Sequence, residues 1–197
     1  MFAILLHPLY MPLYLFFKGK GIPCIFVSYM DFFPPIDDLM TDDERFMREA
    51  LKEAKKAYEA DEVPIGAVMV FEGQIIARGH NQVEMLRDAT AHAEMLCVTA
   101  AENSIGNWRL SGCTLYSTLE PCAMCAGAVL LTRVDRLVWG APDIRHGANG
   151  SWVNLFEKPH PTHALTIVSG VLREWCERPL KLFFQKRRKE KEELKNE

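Results

Sequence analysis

His92-Ala93-Glu94, followed downstream by Pro121-Cys122-Ala123-Met124-Cys125, decides the reading of this chain. The two stretches supply one imidazole, two thiols and one further carboxylate. Zinc accepts soft thiolate and imidazole ligands and is held tetrahedrally. His92, Cys122 and Cys125 as three ligands leave the fourth position for water, whose pKa falls from ~15.7 toward ~7 on binding. The resulting hydroxide can attack an electron-poor ring carbon that bears an amine. Glu94 then takes the water's proton, passes it to a ring nitrogen and later protonates the departing ammonia. One carboxylate suffices because the transfers are sequential.

The spacing sets a condition on the local structure. Cys122 and Cys125 are three apart and share a face of a helix. Pro121 fits the first helical position, where its missing N–H costs nothing. The thiols then sit in the first turn, where the helix dipole lowers their pKa. His92 and Glu94 are two apart and diverge inside a helix, so both reach one metal only if it lies off that helix's N-terminal mouth. Two helix starts facing each other across the metal are therefore predicted. An isolated Cys-x-x-Cys also fits a redox pair or half of a structural zinc site. A structural site wants a fourth protein ligand, and no other Cys or His sits close by in the downstream motif.

The 197 residues suffice for one domain with a substantial core. Hydrophobic residues make up 49% and charged ones 25%, an ordinary globular composition. The net charge of −3 excludes a polycation, so nucleic-acid binding requires a local basic patch. Six cysteines are too few for a disulfide scaffold at this length. Cys24, Cys97, Cys113 and Cys176 are scattered, and a thiolate zinc site with free thiols suits the reducing cytoplasm. Residues 1–17 are almost wholly apolar, broken by Pro8 and Pro12. They are short for a membrane span and lack a basic n-region. Residues 1–39 are therefore expected to be an extension outside the fold, disordered or not native, in preference to a membrane anchor. The domain is read as residues 40–197.

From Met40 onward, Thr41-Asp42-Asp43-Glu44 reads as a capping box. Phe46, Met47, Ala50, Leu51, Ala54 and Tyr58 follow it at helical spacing. Residues 65–71 read as a buried strand, Glu72-Gly73 as a turn and residues 74–79 as its hairpin partner. A polar loop is expected over residues 81–88, then a helix from about Thr90. Further strands are expected at 114–118, 135–139 and 165–169, with the second metal helix over about 121–132 and a long loop over 141–164. The remainder reads as helical, with a break or kink expected at Pro179. Alternating strands and helices imply an α/β/α layered domain.

The pattern H-x-E…P-C-x-x-C is the signature of zinc nucleobase deaminases. Residues 40–189 resemble the bacterial tRNA-specific adenosine deaminases, within the cytidine/deoxycytidylate deaminase superfamily. The resemblance is carried by Val63-Pro64-Ile65-Gly66-Ala67-Val68, Thr90-Ala91-His92-Ala93-Glu94 and Leu119-Glu120-Pro121-Cys122-Ala123-Met124-Cys125-Ala126-Gly127-Ala128. Gly147-Ala148-Asn149-Gly150-Ser151 and Phe183-Phe184 before a basic run narrow it to the tRNA branch. It implies a three-layer cytidine deaminase-like fold with a central five-stranded mixed sheet, a homodimer and one Zn2+ per subunit. The implied partner is tRNA, through its anticodon stem-loop, and the implied reaction converts the wobble adenosine to inosine. By the same resemblance, Asn81 hydrogen-bonds the target base, Ile65 packs against it, and the Ala93 N–H helps to hold the purine. Asp143 lies near the flipped nucleotide. Phe183 or Phe184 has a possible role in stacking on a base, with Lys186-Arg187-Arg188-Lys189 on phosphates.

Each softer assignment has a plainer counterpart. Phe183 or Phe184 can be core, Ile65 core rather than pocket wall, Asn81 a turn residue and the basic run a solvated helix end. His160 and His163 do not argue for a second metal. Two other functions remain open at this stage: a deaminase of a free base or nucleotide, of guanine or cytosine type, and a non-catalytic RNA-binding module with a structural zinc.

Overall fold

The reciprocal capping box forms at the start of the first helix. Thr41 Oγ1 accepts from Glu44 N at 3.3 Å, and Glu44 Oε2 accepts from Thr41 N at 2.8 Å. Helix α1 then runs Asp42–Glu59 and buries Phe46, Met47, Ala50, Leu51, Ala54 and Ala57 along one stripe. Strands β1 (Gly66–Phe71) and β2 (Gln74–His80) form the expected hairpin around Gly73. Short helix α2 (Val83–Leu86) and helix α3 (Ala93–Ile105) follow. The chain continues through β3 (Cys113–Leu119), α4 (Ala123–Leu131), β4 (Arg136–Ala141), β5 (Thr166–Ser169) and α5 (Arg173–Asn196). The computed structural model describes residues 32–34 and 39–196.

The sheet has five strands in the order β2-β1-β3-β4-β5. Pairs β1–β2 and β1–β3 are antiparallel, whereas β3–β4 and β4–β5 are parallel. The sheet is thus mixed, as expected. Successive side chains divide two cores. Ala67, Met69, Leu115, Leu137 and Trp139 enter the cluster shared with α3 and α4. Val68, Val70, Tyr116 and Val138 enter the cluster shared with α1 and α5. Alternation along continuous apolar strands is what a sheet covered on both faces requires, and it makes the three-layer α/β/α architecture.

Gly79 sets the seat of α3. A Cβ there would lie 2.3 Å from Ala93 O and 2.8 Å from Cys97 N, so only glycine lets β2 approach the helix backbone this closely. That contact fixes the start of α3, where His92 and Glu94 sit. On the other face, Asp43 accepts two bonds from Arg136, at 2.7 and 2.6 Å, and one from the Tyr116 hydroxyl at 2.8 Å. These bonds tie the first turn of α1 to β3 and β4.

Four expectations are corrected. Residues 81–88 are not wholly a loop, because a single helical turn forms at α2. Pro121 is not the first residue of α4. Cys122 is the N-cap, in extended backbone with φ −70° and ψ 173°, so Pro121 lies outside the helix. Pro179 does not end α5, which continues from Arg173 to Asn196. Cys176 and Phe183 are buried on either side of it, so tertiary packing holds the helix where propensity alone would interrupt it. Finally, residues 32–34 take part in the fold. Phe32 and Phe33 are 1% and 3% exposed, and Phe32 meets Tyr58 edge-on with centroids 5.3 Å apart. An aromatic pair seated against α1 outweighs the unpromising composition upstream. The apolar run at 1–17 lies outside the described residues. No helix among the described residues is long and apolar enough to cross a membrane.

Candidate metal centre and active site

The two helix starts predicted from the spacing face each other. His92 is the N-cap of α3 and Cys122 the N-cap of α4, with Cys125 three residues later. Cys122 Sγ lies 3.6 Å from His92 Nδ1, Cys125 Sγ lies 3.6 Å from the same nitrogen, and the two sulfurs are 3.7 Å apart. Zinc bonds of about 2.3 Å to sulfur and about 2.05 Å to nitrogen, at tetrahedral angles, separate S from S by about 3.8 Å and S from N by about 3.6 Å. The triangle therefore fits the metal without adjustment. Among the described residues it is the one cluster of three or more such side chains with ligand geometry. His163 instead faces the Val134 carbonyl at 2.5 Å, and His160 is near Thr162.

The electrostatics suit a cation. Hydrogen bonding from Cys125 and from His92 lowers the Cys122 thiol to about 3. The same pairing with Cys122, then burial, pushes Cys125 up. A divalent cation held by both sulfurs would favour the thiolate form of each. Glu94 is 4% exposed, and its burial raises its pKa. The buried Ser117 hydroxyl is nearby on β3.

A cleft of about 880 Å³ opens onto His92, Cys122 and Glu94. Its walls include Ile65, Leu119, Asp143 and Phe184, and its rim carries Arg145, Arg173, Lys181 and Arg188. Ile65 and Asp143 thus line the cleft. Asn81 is 4% exposed and is not among the side chains that line the cleft; its Nδ2 donates to Glu62 Oε2 at 3.1 Å. Ala93 is fully buried at the first position of α3, so its backbone N–H is one of the groups without a partner inside the helix.

Phe183 is corrected. It is 4% exposed, faces Tyr58 with centroids 6.3 Å apart, and does not line the cleft. Its neighbour Phe184 is 43% exposed and does line it. Consecutive residues on a helix point about 100° apart, so one can be core while the other faces the substrate side. The basic run divides similarly. Lys186 and Arg187 pair with Asp61 at 2.9 and 2.8 Å, while Arg188 reaches the cleft.

Three buried carboxylates carry no assignment from the sequence: Glu53, which pairs with Lys56 at 2.8 Å, Glu62 and Glu120. Glu62 accepts from Asn81 and, at 2.7 Å, from Met85 N. Glu120, 1% exposed, accepts from three backbone N–H groups of the loop that follows β4. The position of Glu120 beside Pro121 was the one available signal, and it said nothing of the partners.

A partly buried triangle of metal ligands at two helix starts, a carboxylate beside it and a mixed five-stranded sheet define a zinc-dependent deaminase. The description "Cytidine and deoxycytidylate deaminase zinc-binding region" matches residues 40–141. The tRNA-specific adenosine deaminase of Bacillus subtilis is 53% identical over 152 residues, covering 77% of this chain and 94% of that protein. The chloroplastic tRNA(adenine(34)) deaminase of Arabidopsis thaliana is 54% identical over 163 residues, although this chain spans only 12% of its length. A solved structure from a study of A-to-I editing by tRNA:A34 deaminases is 46% identical with a TM-score of 0.66, covering 69% of this chain and 99% of that one. The chain belongs to the tRNA-specific adenosine deaminase family.

Proposed function

We infer that this protein deaminates adenosine to inosine at the wobble position of a tRNA anticodon loop. The observation that carries the reading is the His92–Cys122–Cys125 triangle with Glu94 beside it, open to a cleft with basic side chains on its rim. Zinc, one per subunit, supplies when bound the Lewis acidity that makes water a nucleophile at neutral pH. Glu94 accepts the proton of the attacking water and delivers it to a ring nitrogen of the adenine; it then takes the proton of the hydroxyl newly formed on the ring carbon and gives it to the amino group, which leaves as ammonia. Its burial raises its affinity for a proton, which suits a group that must take one up and return it.

The remaining roles are assigned to residues in and around the cleft. Asn81 hydrogen-bonds the base, oriented by its bond to Glu62. Ile65 packs on the ring, the Ala93 N–H holds the purine edge, and Asp143 stands near the flipped nucleotide. Phe184 offers a face on which a neighbouring base stacks. Arg145 and Arg188 have no ion-pair partner among the described residues and are free to meet phosphates. An anticodon loop already presents its bases as single strand, which removes much of the few kcal/mol that extrusion from a duplex costs.

The free-base alternative has weaker support. A protein crystallised with 8-azaguanine is 28% identical with a TM-score of 0.60, less similar on both measures than the tRNA:A34 deaminase structure. Incubating the purified protein with an anticodon stem-loop and with free guanine and cytosine decides the matter. Inosine in the stem-loop is expected, and ammonia from guanine alone overturns the reading. Glu94→Ala is expected to keep zinc and lose turnover. Equal RNA binding with no turnover in either protein would instead favour a non-catalytic module. A homodimer, supported by the family relationship, is tested by sedimentation equilibrium. A cytoplasmic location is supported by the free thiols of Cys97, Cys113 and Cys176.

A further inference from the structure

Glu120 is a buried carboxylate between the loop that follows β4 and the N-cap of α4. Its Oε1 accepts from Asn149 N at 2.8 Å and from Ser151 N at 3.3 Å. Its Oε2 accepts from Asp143 N at 3.1 Å and from the Ser151 hydroxyl. All four partners are donors, and an ionised carboxylate is the side chain that offers acceptors alone. The loop closes on it tightly. A Cβ at Gly147 would lie 2.4 Å from Glu120 Cδ and 2.6 Å from Asp143 O, so only glycine fits there. The backbone on either side is stitched as well, with Glu120 N donating to Ala141 O at 2.8 Å and Ala148 N donating to Pro121 O at 2.9 Å.

We propose that Glu120 is a positioning residue for the substrate: its carboxylate gathers the segment 143–151 and fixes the cleft-lining part of that loop relative to Cys122, two residues along the chain. The loop would otherwise be an exposed excursion, since Ile144 is 80% exposed and Arg145 and His146 are exposed too. Suspended from a side chain adjacent to the metal ligands, Asp143 and Arg145 keep a set distance from the reacting carbon. The inference rests on the deaminase reading of the cleft. It predicts that the grip of Glu120 is expressed in how substrate is held rather than in metal binding or proton transfer.

Glu120→Gln tests it. The amide places N–H groups among donors and loses one acceptor, with no change in volume. The expected result is one zinc per chain, a KM for the anticodon stem-loop raised roughly tenfold and kcat within about threefold of wild type. Glu120→Asp, which keeps the charge, should recover part of the lost affinity. Ser151→Ala removes a single donor from an exposed residue and should raise KM by only about two- to threefold, which keeps the test open if Glu120→Gln folds poorly. An unchanged KM in both Glu120→Gln and Ser151→Ala overturns the proposal. So does a Glu120→Asp protein no better than Glu120→Gln, or a loss of zinc and kcat with KM intact. If wild-type protein itself yields no inosine, the functional reading fails and these comparisons are not reached.

Discussion

Adjacent phenylalanines on α5 do different work. Phe183→Ala removes a buried ring that packs on Tyr58 and should cost roughly 3 kcal/mol of stability, measured by denaturant unfolding. Phe184→Ala should leave stability nearly unchanged and weaken stem-loop binding by about 1–3 kcal/mol, the range for a stacking side chain. Equal loss of stability in the two variants would return Phe184 to the core. At the metal, Cys122→Ala should lose zinc, activity and thermal stability together, because binding the ion is coupled to folding. Elemental analysis of that variant is the check, and an active, metal-free protein would contradict the ligand assignment. The metal residues were legible in the sequence because donor chemistry and spacing constrain each other strongly. Glu62 and Glu120 were not, because what makes them important is which distant backbone N–H groups their burial brings to them. That information lies in tertiary structure.

Among the elements, boundaries that depend on local chemistry were read correctly and those that depend on packing were not. Thr41-Asp42-Asp43-Glu44 announced its helix through contacts within one turn. Pro121 was placed inside α4 by its preference for a first helical turn. The helix instead starts at Ala123, after Cys122, the N-cap, whose backbone bridges to Gly147 in extended conformation. The break or kink expected at Pro179 rests on propensity, which sees neither Cys176 nor Phe183 buried on either side. The link between α1 and the sheet has a consequence in acid. Hydrogen bonding from Arg136 holds the Asp43 carboxyl below the usual aspartate range. A lowered folded pKa gives stability that is complete above the unfolded value and is lost as pH falls through the folded one. Asp43→Asn should therefore lower the melting temperature at pH 7 while flattening its decline below about pH 4. Parallel acid limbs in wild type and variant would remove Asp43 from that role.

At the scale of the whole molecule, the segment before Met40 belongs to the domain at least through residues 32–34. The sequence obscured this, since a strongly apolar run at 1–17 drew attention from two phenylalanines whose partner, Tyr58, lies on the far end of α1. Starting the protein at Met40 removes Phe32 and Phe33 from contact with α1. The expected cost is roughly 2 kcal/mol, or a melting temperature lower by about 5 °C. Calorimetry of the two lengths settles it, and identical melting curves would show that this docking contributes nothing.

Helix α5 sends Cys176 and Phe183 into the core, lines the cleft from Arg173 to Arg188, and ends in exposed, mostly charged residues. A single rod thus serves as foundation at one end and as handle at the other. Warming loosens such a rod from its free end first. Discrimination between a full-length nucleic acid and a short fragment should then fade at temperatures where the metal-bound pocket still turns over, and an activity ratio for the two substrates recorded against temperature would register that uncoupling.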